Sequence, residues 1–253
     1  TVPGCRAISG CRRVGCEVKN RILGPCFLEM RFHGENGRSL GVRFSLESFG
    51  AHSKMNPLSS LCVFCGASSG TNPCYHDAAQ DFGKVLARHG IELVWGGGHV
   101  GLMGTVADAV LASGGTVFGV IPEFMADREL AHPFATEMRV VDSMHTRKAT
   151  MAERAGGFVA LPGGLGTLDE LFEILTWAQL QIHHKPVGLL NVNGFFDPLL
   201  AMVEHMAKEG FIRATHVALL KVASDAETLI GLMQTHQPQQ GDWLEKVTHL
   251  SRA

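Results

Sequence analysis

The chain has 253 residues, enough for one large domain or two small ones, and its apolar fraction of 45% is ample for a core. A net charge of −2 gives no support for a nucleic-acid or membrane partner. No apolar run approaches the roughly 18 residues that a bilayer-spanning helix needs. We therefore expect neither nucleic acid nor membrane among its partners.

Residues 1–54 differ in charge from the rest of the chain. They carry nine Lys or Arg against four Asp or Glu, whereas residues 55–253 carry thirteen against twenty. They show no sustained helical or strand period, and they hold four of the seven cysteines, Cys5, Cys11, Cys16 and Cys26. A disulfide or zinc cluster is the alternative, but there is no Cys-x-x-Cys pair and no histidine at ligand distance. We predict a disordered or non-native N-terminal extension.

From residue 61 onwards, strand-like and helix-like patterns alternate along the chain. Apolar runs predict strands over 61–65, 91–95, 116–121, 138–141, 158–161, 187–191 and 217–222. Apolar residues at helical spacing predict helices over 75–89, 102–112, 144–155, 168–180, 198–209 and 226–235. This alternation predicts a doubly wound, mostly parallel α/β sheet of the Rossmann-like type, with helices on both faces. We assign it to residues 55–237 and regard residues 238–253 as a polar tail.

Three cysteines remain in this predicted body. Cys62-Val-Phe-Cys65 forms a Cys-x-x-Cys pair, but it lies on the first predicted strand, and Cys74 follows nearby. Buried small cysteines explain the pair better than a metal or redox site, and a reducing cytoplasm suits them. We therefore predict a cytoplasmic protein without a bound metal.

Two glycine-rich loops each follow a predicted strand and open a predicted helix. In Pro162-Gly-Gly-Leu-Gly-Thr167, three glycines leave room for backbone N–H groups to crowd an anion at a helix start. Residues 96–104 form the other loop, for which a tight turn is the alternative. Two such loops at one sheet edge favour binding. The loop over 162–167 has neither the Walker nor the Gly-x-Gly-x-x-Gly spacing, so its pattern predicts a phosphorylated small molecule without naming it.

The motif Pro-Gly-Gly-x-Gly-Thr-x-x-Glu resembles the signature of the LOG family, the cytokinin riboside 5′-monophosphate phosphoribohydrolases once widely labelled lysine decarboxylases. Further segments match in order: Gly96-Gly-Gly-His-Val-Gly-Leu-Met-Gly104, Arg128-Glu-Leu130, Met144-His-Thr-Arg-Lys148, Thr176-Trp-Ala-Gln-Leu180 and Lys185-Pro-Val-Gly-Leu-Leu-Asn191. The resemblance implies hydrolysis of the N-glycosidic bond of a cytokinin riboside 5′-monophosphate, or of AMP, to free base and ribose 5-phosphate. It implies no cofactor, and it implies a homodimer.

The resemblance also implies roles for individual residues. Glu170 would be catalytic, with Arg147 as its partner. The substrate contacts would be Glu129, Lys148, Gly163, Gly164, Gly166, Thr167, Thr176, Gly97, Gly98 and Met103. From the residues alone, a helix-capping box is the better explanation of Thr167-Leu-Asp-Glu170. Arg147 stands at a helix start, against the helix dipole, and a surface salt bridge is its alternative to an anion contact.

Two other functions compete with this hypothesis. One is a non-catalytic carrier of a nucleotide or of molybdenum cofactor on the same fold, which the Arg147 and Glu170 pair disfavours. The other is an amino-acid decarboxylase, whose pyridoxal phosphate needs a lysine in a context that Lys84, Lys148 and Lys185 lack. The segment Ala131-His-Pro-Phe-Ala135 differs from the Thr-Gly-Glu type of plant members, which leaves the preferred base open.

The predicted helix over 168–180 gives a physical reason for a dimer. Apolar side chains occupy nearly its whole circumference, at Leu168, Leu171, Phe172, Ile174, Leu175, Trp177, Ala178 and Leu180. A helix on the outside of a single doubly wound domain keeps a polar face towards water. We therefore expect this helix to bury its second face against a partner subunit.

Overall fold

The computed structural model describes residues 58–126 and 131–237 and, nearer the N terminus, the backbone of three strands. The chain divides into two compact units, Thr1–Asn56 and Pro57–Ala253. In the first unit, the strands β1 (Lys19–Ile22), β2 (Phe27–His33) and β3 (Ser39–Ser45) pair antiparallel in the order β1-β2-β3.

The expectation that this N-terminal part lacks a strand period was wrong. In β2, apolar Leu28, Met30 and Phe32 alternate with polar residues, which is the pattern of a strand. The four N-terminal cysteines lie outside the described residues, as does the tail over 238–253. That residues 1–54 are a non-native extension stays a prediction.

In the described part of the second unit, seven strands form one sheet. They are β4 (Ser60–Phe64), β5 (Glu92–Trp95), β6 (Val117–Pro122), β7 (Glu137–Val141), β8 (Phe158–Ala160), β9 (Val187–Leu190) and β10 (Leu220–Ala223). Their order is β10-β9-β8-β4-β5-β6-β7, and the paired strands run parallel. This confirms the predicted fold class.

The helices follow the predicted alternation. They are α1 (Pro73–Arg88), α2 (Gly101–Ala112), α3 (Glu123–Ala126), α4 (Met144–Arg154), α5 (Leu165–Gln179), α6 (Asp197–Lys208), α7 (Ala214–Val217) and α8 (Ala226–Gln234). The short helices α3 and α7 were not predicted, and Val217, expected in a strand, ends α7. Helix α5 begins three residues earlier than predicted, at Leu165. Across the described ranges, no helix combines the length and apolar character needed to cross a membrane.

The core lies on both faces of the sheet. Helices α1, α2 and α8 cover one face, where Phe82 and Leu86 are buried against the strands. Helices α4, α5 and α6 cover the other face, where Met151 and Leu171 are buried. Because both faces are covered, the central strand β4 is buried at every residue, which explains its unbroken apolar run.

The strand order places a topological switch point at the centre of the sheet. From β4 the chain adds β5, β6 and β7 on one side, and it then crosses to add β8, β9 and β10 on the other. The loops that leave β4 and β8 therefore diverge from neighbouring carboxyl ends and open a crevice between them. Ligands of doubly wound proteins bind in such crevices.

Candidate active site

Three loops meet at the carboxyl edge of the sheet. The backbone N–H of Gly66, after β4, donates to the carbonyl oxygen of Pro162, after β8, at 3.1 Å. The N–H of Leu102, at the start of α2, donates to the carbonyl oxygen of Gly66 at 3.0 Å. Beside them opens a cavity of about 430 Å³, lined by residues 66–70 and by Tyr75, Leu102, Pro162, Gly163, Gly164 and Phe195. This volume is in the range of small-molecule sites.

The start of α5 is open to an anion. Gly164 is the N-cap residue, and no side chain accepts a hydrogen bond there. The first N–H groups of a helix have no partner within the helix, and the dipole favours negative charge beside them. Thr167 is the third helical residue and is buried, so it does not cap the helix. The capping-box interpretation of Thr167 and Glu170 was therefore wrong.

The three glycines of this loop serve two purposes. A Cβ at Gly163 would overlap Oγ1 of Thr167 and lie 2.8 Å from the amide nitrogen of Gly66, so close loop packing requires glycine there. A Cβ at Gly164 or Gly166 would meet no atom within 4 Å, and neither residue has a left-handed φ. Nothing in the described protein requires glycine at these two positions. The space they leave suits a phosphate group.

We expect Gly166→Ala to separate ligand binding from folding. Alanine is the better helix former, so the free energy of unfolding of the variant should equal that of the wild type or exceed it by up to about 1 kcal/mol. Binding of a nucleoside monophosphate should weaken about tenfold or more, through loss of at least one hydrogen bond to a charged group. The matched control is Gly231→Ala in α8, which also has open space around it. Thermal unfolding measures the stability of the two variants, and calorimetric titration with AMP measures their affinity. Equal affinity in the two variants would count against a phosphate at Gly166.

Arg147 is held inside the protein. Helix α4 begins at Met144, where the Ser143 side chain accepts a hydrogen bond from the N–H of Thr146 at 3.1 Å. The guanidinium of Arg147 donates from Nε to the Val120 carbonyl oxygen at 3.1 Å and from Nη2 to that of Gly96 at 3.3 Å. Its side chain is 9% exposed, which excludes a surface salt bridge. Two backbone carbonyls therefore fix its direction.

The Arg147 guanidinium faces the Glu170 carboxylate. Nη1 of Arg147 lies 3.7 Å from Oε1 of Glu170, whose side chain is 16% exposed. This distance exceeds that of a hydrogen bond, so the carboxylate oxygens keep their capacity for other partners. Burial raises the pKa of Glu170 above its ordinary value, and the charge of Arg147 opposes that rise. A half-buried carboxyl group with a raised pKa is suited to acid–base chemistry.

Lys148 joins α4 to α5. Its Nζ lies 2.9 Å from Oε2 of Glu173 and 3.3 Å from Oδ2 of Asp169, the acids on either side of Glu170 along α5. The hydrogen bond to Glu173 raises the pKa of Lys148. In this arrangement the lysine braces the helix that carries Glu170. Its predicted contact with substrate stays a prediction.

The remaining predicted contacts lie at different places. Gly97 and Gly98 are buried in the loop after β5, and Gly97 has a left-handed φ of 75°. Met103 is half-buried and packs into the core from α2. Thr176 is exposed and donates from Oγ1 to the Phe172 carbonyl oxygen at 2.7 Å. Glu129 lies outside the described residues. The structure thus brings Arg147, Glu170 and Lys148 together, but it places Thr176 on the outer face of α5.

The loop over 66–70 was not predicted as part of the site. Its letters, Gly66-Ala-Ser-Ser-Gly70, directly follow a buried strand, which is the signal that identified the other two loops. The aromatic side of the cavity was not predicted either; there Tyr75 and Phe195 meet edge to face with ring centroids 5.6 Å apart. No sequence pattern joins these two residues, because they lie far apart along the chain.

The three cysteines in the described part of the second unit have free thiols. Cys62 and Cys65 are free and buried, as predicted. Burial raises the pKa of both thiols, and the charge of nearby Glu170 raises it further, so they stay protonated. Among the residues with described positions, no group of three or more His, Cys, Asp or Glu could hold a metal ion.

These features define the class of protein. A doubly wound sheet carries glycine loops at its switch point, an uncapped helix start suited to phosphate, and a buried arginine–carboxylate pair on the adjoining helices. This is the arrangement of an α/β protein that binds a nucleotide and has acid–base groups beside it.

Comparison with known proteins identifies the family. A profile described as "Possible lysine decarboxylase" matches residues 103–233. A probable cytokinin riboside 5′-monophosphate phosphoribohydrolase of Oryza sativa subsp. japonica is 51% identical over 70% of this chain and 78% of its own length. A protein of the same name, without "probable", from Arabidopsis thaliana is 46% identical over 74% of this chain and 88% of its own length. The chain belongs to the LOG family, as its motifs predicted.

A solved structure supports the fold. The molybdenum cofactor binding protein of Rippkaea orientalis aligns with a TM-score of 0.54 over 70% of this chain and 95% of its own length. The sequence identity is 22%, so the likeness concerns the fold alone.

Proposed function

We propose that this protein hydrolyses the N-glycosidic bond of a nucleoside 5′-monophosphate, releasing a free base and ribose 5-phosphate. The substrate is a cytokinin riboside 5′-monophosphate, an N6-substituted AMP, or AMP itself. The observation that carries the proposal is the pairing of buried Arg147 with half-buried Glu170, 3.7 Å apart, beside an uncapped helix start. The two plant relatives bear the name of this activity.

We propose a role for each part of the site. The phosphate binds at the start of α5, and Glu170 follows Gly164 by six residues, roughly 9 Å along the helix axis. As the bond from C1′ to the base nitrogen breaks, its electron pair leaves with the base and positive charge develops on the ribose. The Glu170 carboxylate stabilises that charge and takes a proton from the water whose oxygen joins C1′. The departing base gains a proton from solvent, and Glu170 returns its proton to solvent. Arg147 holds the substrate and faces the negative charge on the departing base.

The site fits the two competing functions less well. A carrier has no use for a carboxyl group with a raised pKa next to a phosphate site, yet Glu170 is such a group. A decarboxylase that uses pyridoxal phosphate needs a lysine that becomes a neutral nucleophile. Lys148, which lines a small cavity together with Glu170, is instead kept charged by Glu173 and Asp169.

Product analysis tests the proposal. The purified protein is incubated with AMP and with isopentenyladenosine monophosphate, and free base and ribose 5-phosphate are separated by chromatography. Equimolar base and sugar phosphate from at least one substrate is the expected result. Tight binding of both nucleotides without products would support the carrier instead. The relative rates on the two substrates give the preferred base.

We infer that the protein acts as a homodimer through the outer face of α5. Leu171 and Ile174 are buried in the core, whereas Leu165 is 88% exposed and Phe172 is 36% exposed. A groove of about 390 Å³ runs along this outer face, lined by Leu165, Leu168, Asp169, Phe172, Glu173, Thr176 and Trp177. Ile182, just beyond the helix, is 64% exposed. A contiguous apolar patch of this kind favours a second subunit.

Assembly and activity are therefore expected to change together. Phe172→Asp places a charge on the proposed contact face and should give monomers in sedimentation velocity, with reduced turnover because α5 also carries Glu170. Met202→Asp is the matched control, since Met202 is 51% exposed on α6; it should remain dimeric and active. A wild-type monomer with full turnover at micromolar concentration would contradict the dimer.

We also place the protein in the cytoplasm. Cys62 and Cys65, three positions apart in the chain, have free, buried thiols. A reducing compartment preserves such thiols. Fluorescence of a tagged protein in intact cells tests the location.

A further inference from the structure

His132 is a buried histidine whose two ring nitrogens both have partners. The residue is 5% exposed. Its Nδ1 accepts a hydrogen bond from the backbone N–H of Phe134 at 3.2 Å, and its Nε2 lies 3.1 Å from Oδ1 of Asp108 on α2. Because Nδ1 accepts, the ring proton belongs on Nε2, which donates to Asp108. These partners assign one neutral tautomer and one ring orientation.

The same residue is attached to the glycine loop after β5. Its backbone N–H donates to the carbonyl oxygen of Gly97 at 2.8 Å. Its ring meets the Trp95 ring edge to face, with centroids 6.0 Å apart. The indole Nε1 of Trp95 donates in turn to the carbonyl oxygen of Gly98 at 3.0 Å. Two neighbouring carbonyls of the loop are thus held by His132 and by the tryptophan packed against it.

The carbonyl of the preceding residue in this loop, Gly96, holds Arg147. The Gly96 oxygen accepts the hydrogen bond from Nη2 of Arg147 at 3.3 Å. Three consecutive carbonyls therefore each have a fixed donor, and Gly97 between the outer two has a left-handed φ. Turning one peptide plane of so short a segment moves the others. The direction of the Arg147 guanidinium consequently depends on the anchors of the two following residues.

We propose that His132 is a positioning residue: through the 96–98 loop it holds the Arg147 guanidinium in the direction that faces Glu170. The proposal rests on the proposed function for its kinetic consequence, since Arg147 is assigned a role in bond cleavage there. It assigns no substrate contact to His132. Its physical basis is that a small displacement of a group acting in the transition state reduces turnover strongly.

The kinetic test compares two substitutions with different remaining bonds. His132→Phe keeps an aromatic ring against Trp95 but loses both ring hydrogen bonds, and we expect kcat to fall about tenfold to 10²-fold with a much smaller change in KM. His132→Asn can still accept from the N–H of Phe134 through its side-chain oxygen, and it should retain more activity. The control is Asp225→Ala, which removes the N-cap of α8 and lowers stability away from the site. It should leave kcat unchanged.

A second measurement follows Arg147 itself. The Nε–H of Arg147 is buried against Val120, so its resonance in a nitrogen-15 spectrum should exchange slowly with water in the wild type. In His132→Phe it should shift and exchange faster, whereas in Asp225→Ala it should not change. This readout needs no substrate, so it still tests His132 if no nucleotide is cleaved. If His132→Phe fails to fold, His132→Asn gives the same readout.

Each outcome of these measurements either supports or overturns the positioning role of His132. A selective loss of kcat together with a changed Arg147 resonance supports the proposal. Wild-type kcat in folded His132→Phe overturns it, and so does an unchanged Arg147 resonance. In a background of Arg147→Lys, the His132→Phe substitution should cost less than in the wild type, because both changes act through one group. An undiminished, additive loss would show that His132 acts elsewhere.

Discussion

Replacing Glu170 by glutamine is expected to reduce turnover about 10²-fold to 10³-fold, the usual scale for losing one group that stabilises a transition state. Glutamine has nearly the shape of glutamate but neither its charge nor its basicity. Steady-state release of free base measures the effect. Asp169→Asn is the matched control, because Asp169 is the neighbouring, exposed acid and Lys148 keeps its shorter ion pair to Glu173. Similar turnover in Glu170→Gln and the wild type would remove the catalytic role.

The pH dependence of the wild type and of Glu170→Gln tests the raised pKa of Glu170. Burial raises the pKa in the folded state, so the ionised carboxylate is the less stable form there. The stability that the protonated group contributes is present below its unfolded pKa and is lost as pH rises through its folded pKa. Relative to the wild type, Glu170→Gln should therefore gain melting temperature as pH rises through that range. The acidic limb of the wild-type activity profile should be absent from the variant's residual activity.

Gly96→Ala is expected to have the second large effect. A Cβ at this position would overlap Nη2 of Arg147, and the guanidinium cannot withdraw without losing its bonds to two carbonyls. A displacement near 1 Å can cost about 10² in rate, and overpacking of this kind costs about 1–3 kcal/mol of stability. Initial rates and thermal unfolding measure both losses.

The control for Gly96→Ala is another glycine whose replacement strains only the backbone. Gly90 has a φ of 64° and open space around its Cβ direction, so Gly90→Ala should lower stability and leave turnover unchanged. Adding Arg147→Ala to Gly96→Ala should cause little further loss of rate, because the first substitution already displaces the guanidinium. Full activity of Gly96→Ala would show that the direction of Arg147 does not matter.

The sequence predicted the sheet well because both of its faces are covered. Unbroken apolar runs mark such buried strands, and their boundaries differ from the observed ones by few residues, as in β4. The start of α5 was predicted late because Gly166 is a poor helix former. The space around its Cβ direction is open, so packing within the described protein does not require glycine there.

The site was only partly predictable. Loops that follow buried strands could be located, since their glycines and the sheet edge are visible in the sequence. The pairing of Arg147 with Glu170 came from the family motif. The supports of Arg147 could not be derived, because Gly96 and Val120 offer backbone carbonyls, which no residue type reveals. The hydrogen bond between His132, in a loop, and Asp108, on α2, could not be predicted either, because no sequence pattern joins these two positions.

The most direct test of the central claim compares a nucleoside 5′-monophosphate with the same nucleoside lacking the phosphate. The protein should cleave the N-glycosidic bond of the monophosphate with a kcat/KM about 10² or more times higher, since two or more hydrogen bonds to a charged phosphate are lost in the nucleoside. Free base and ribose 5-phosphate should appear in equal amounts. Equal kcat/KM values for the two substrates, or no cleavage of either, would contradict the account.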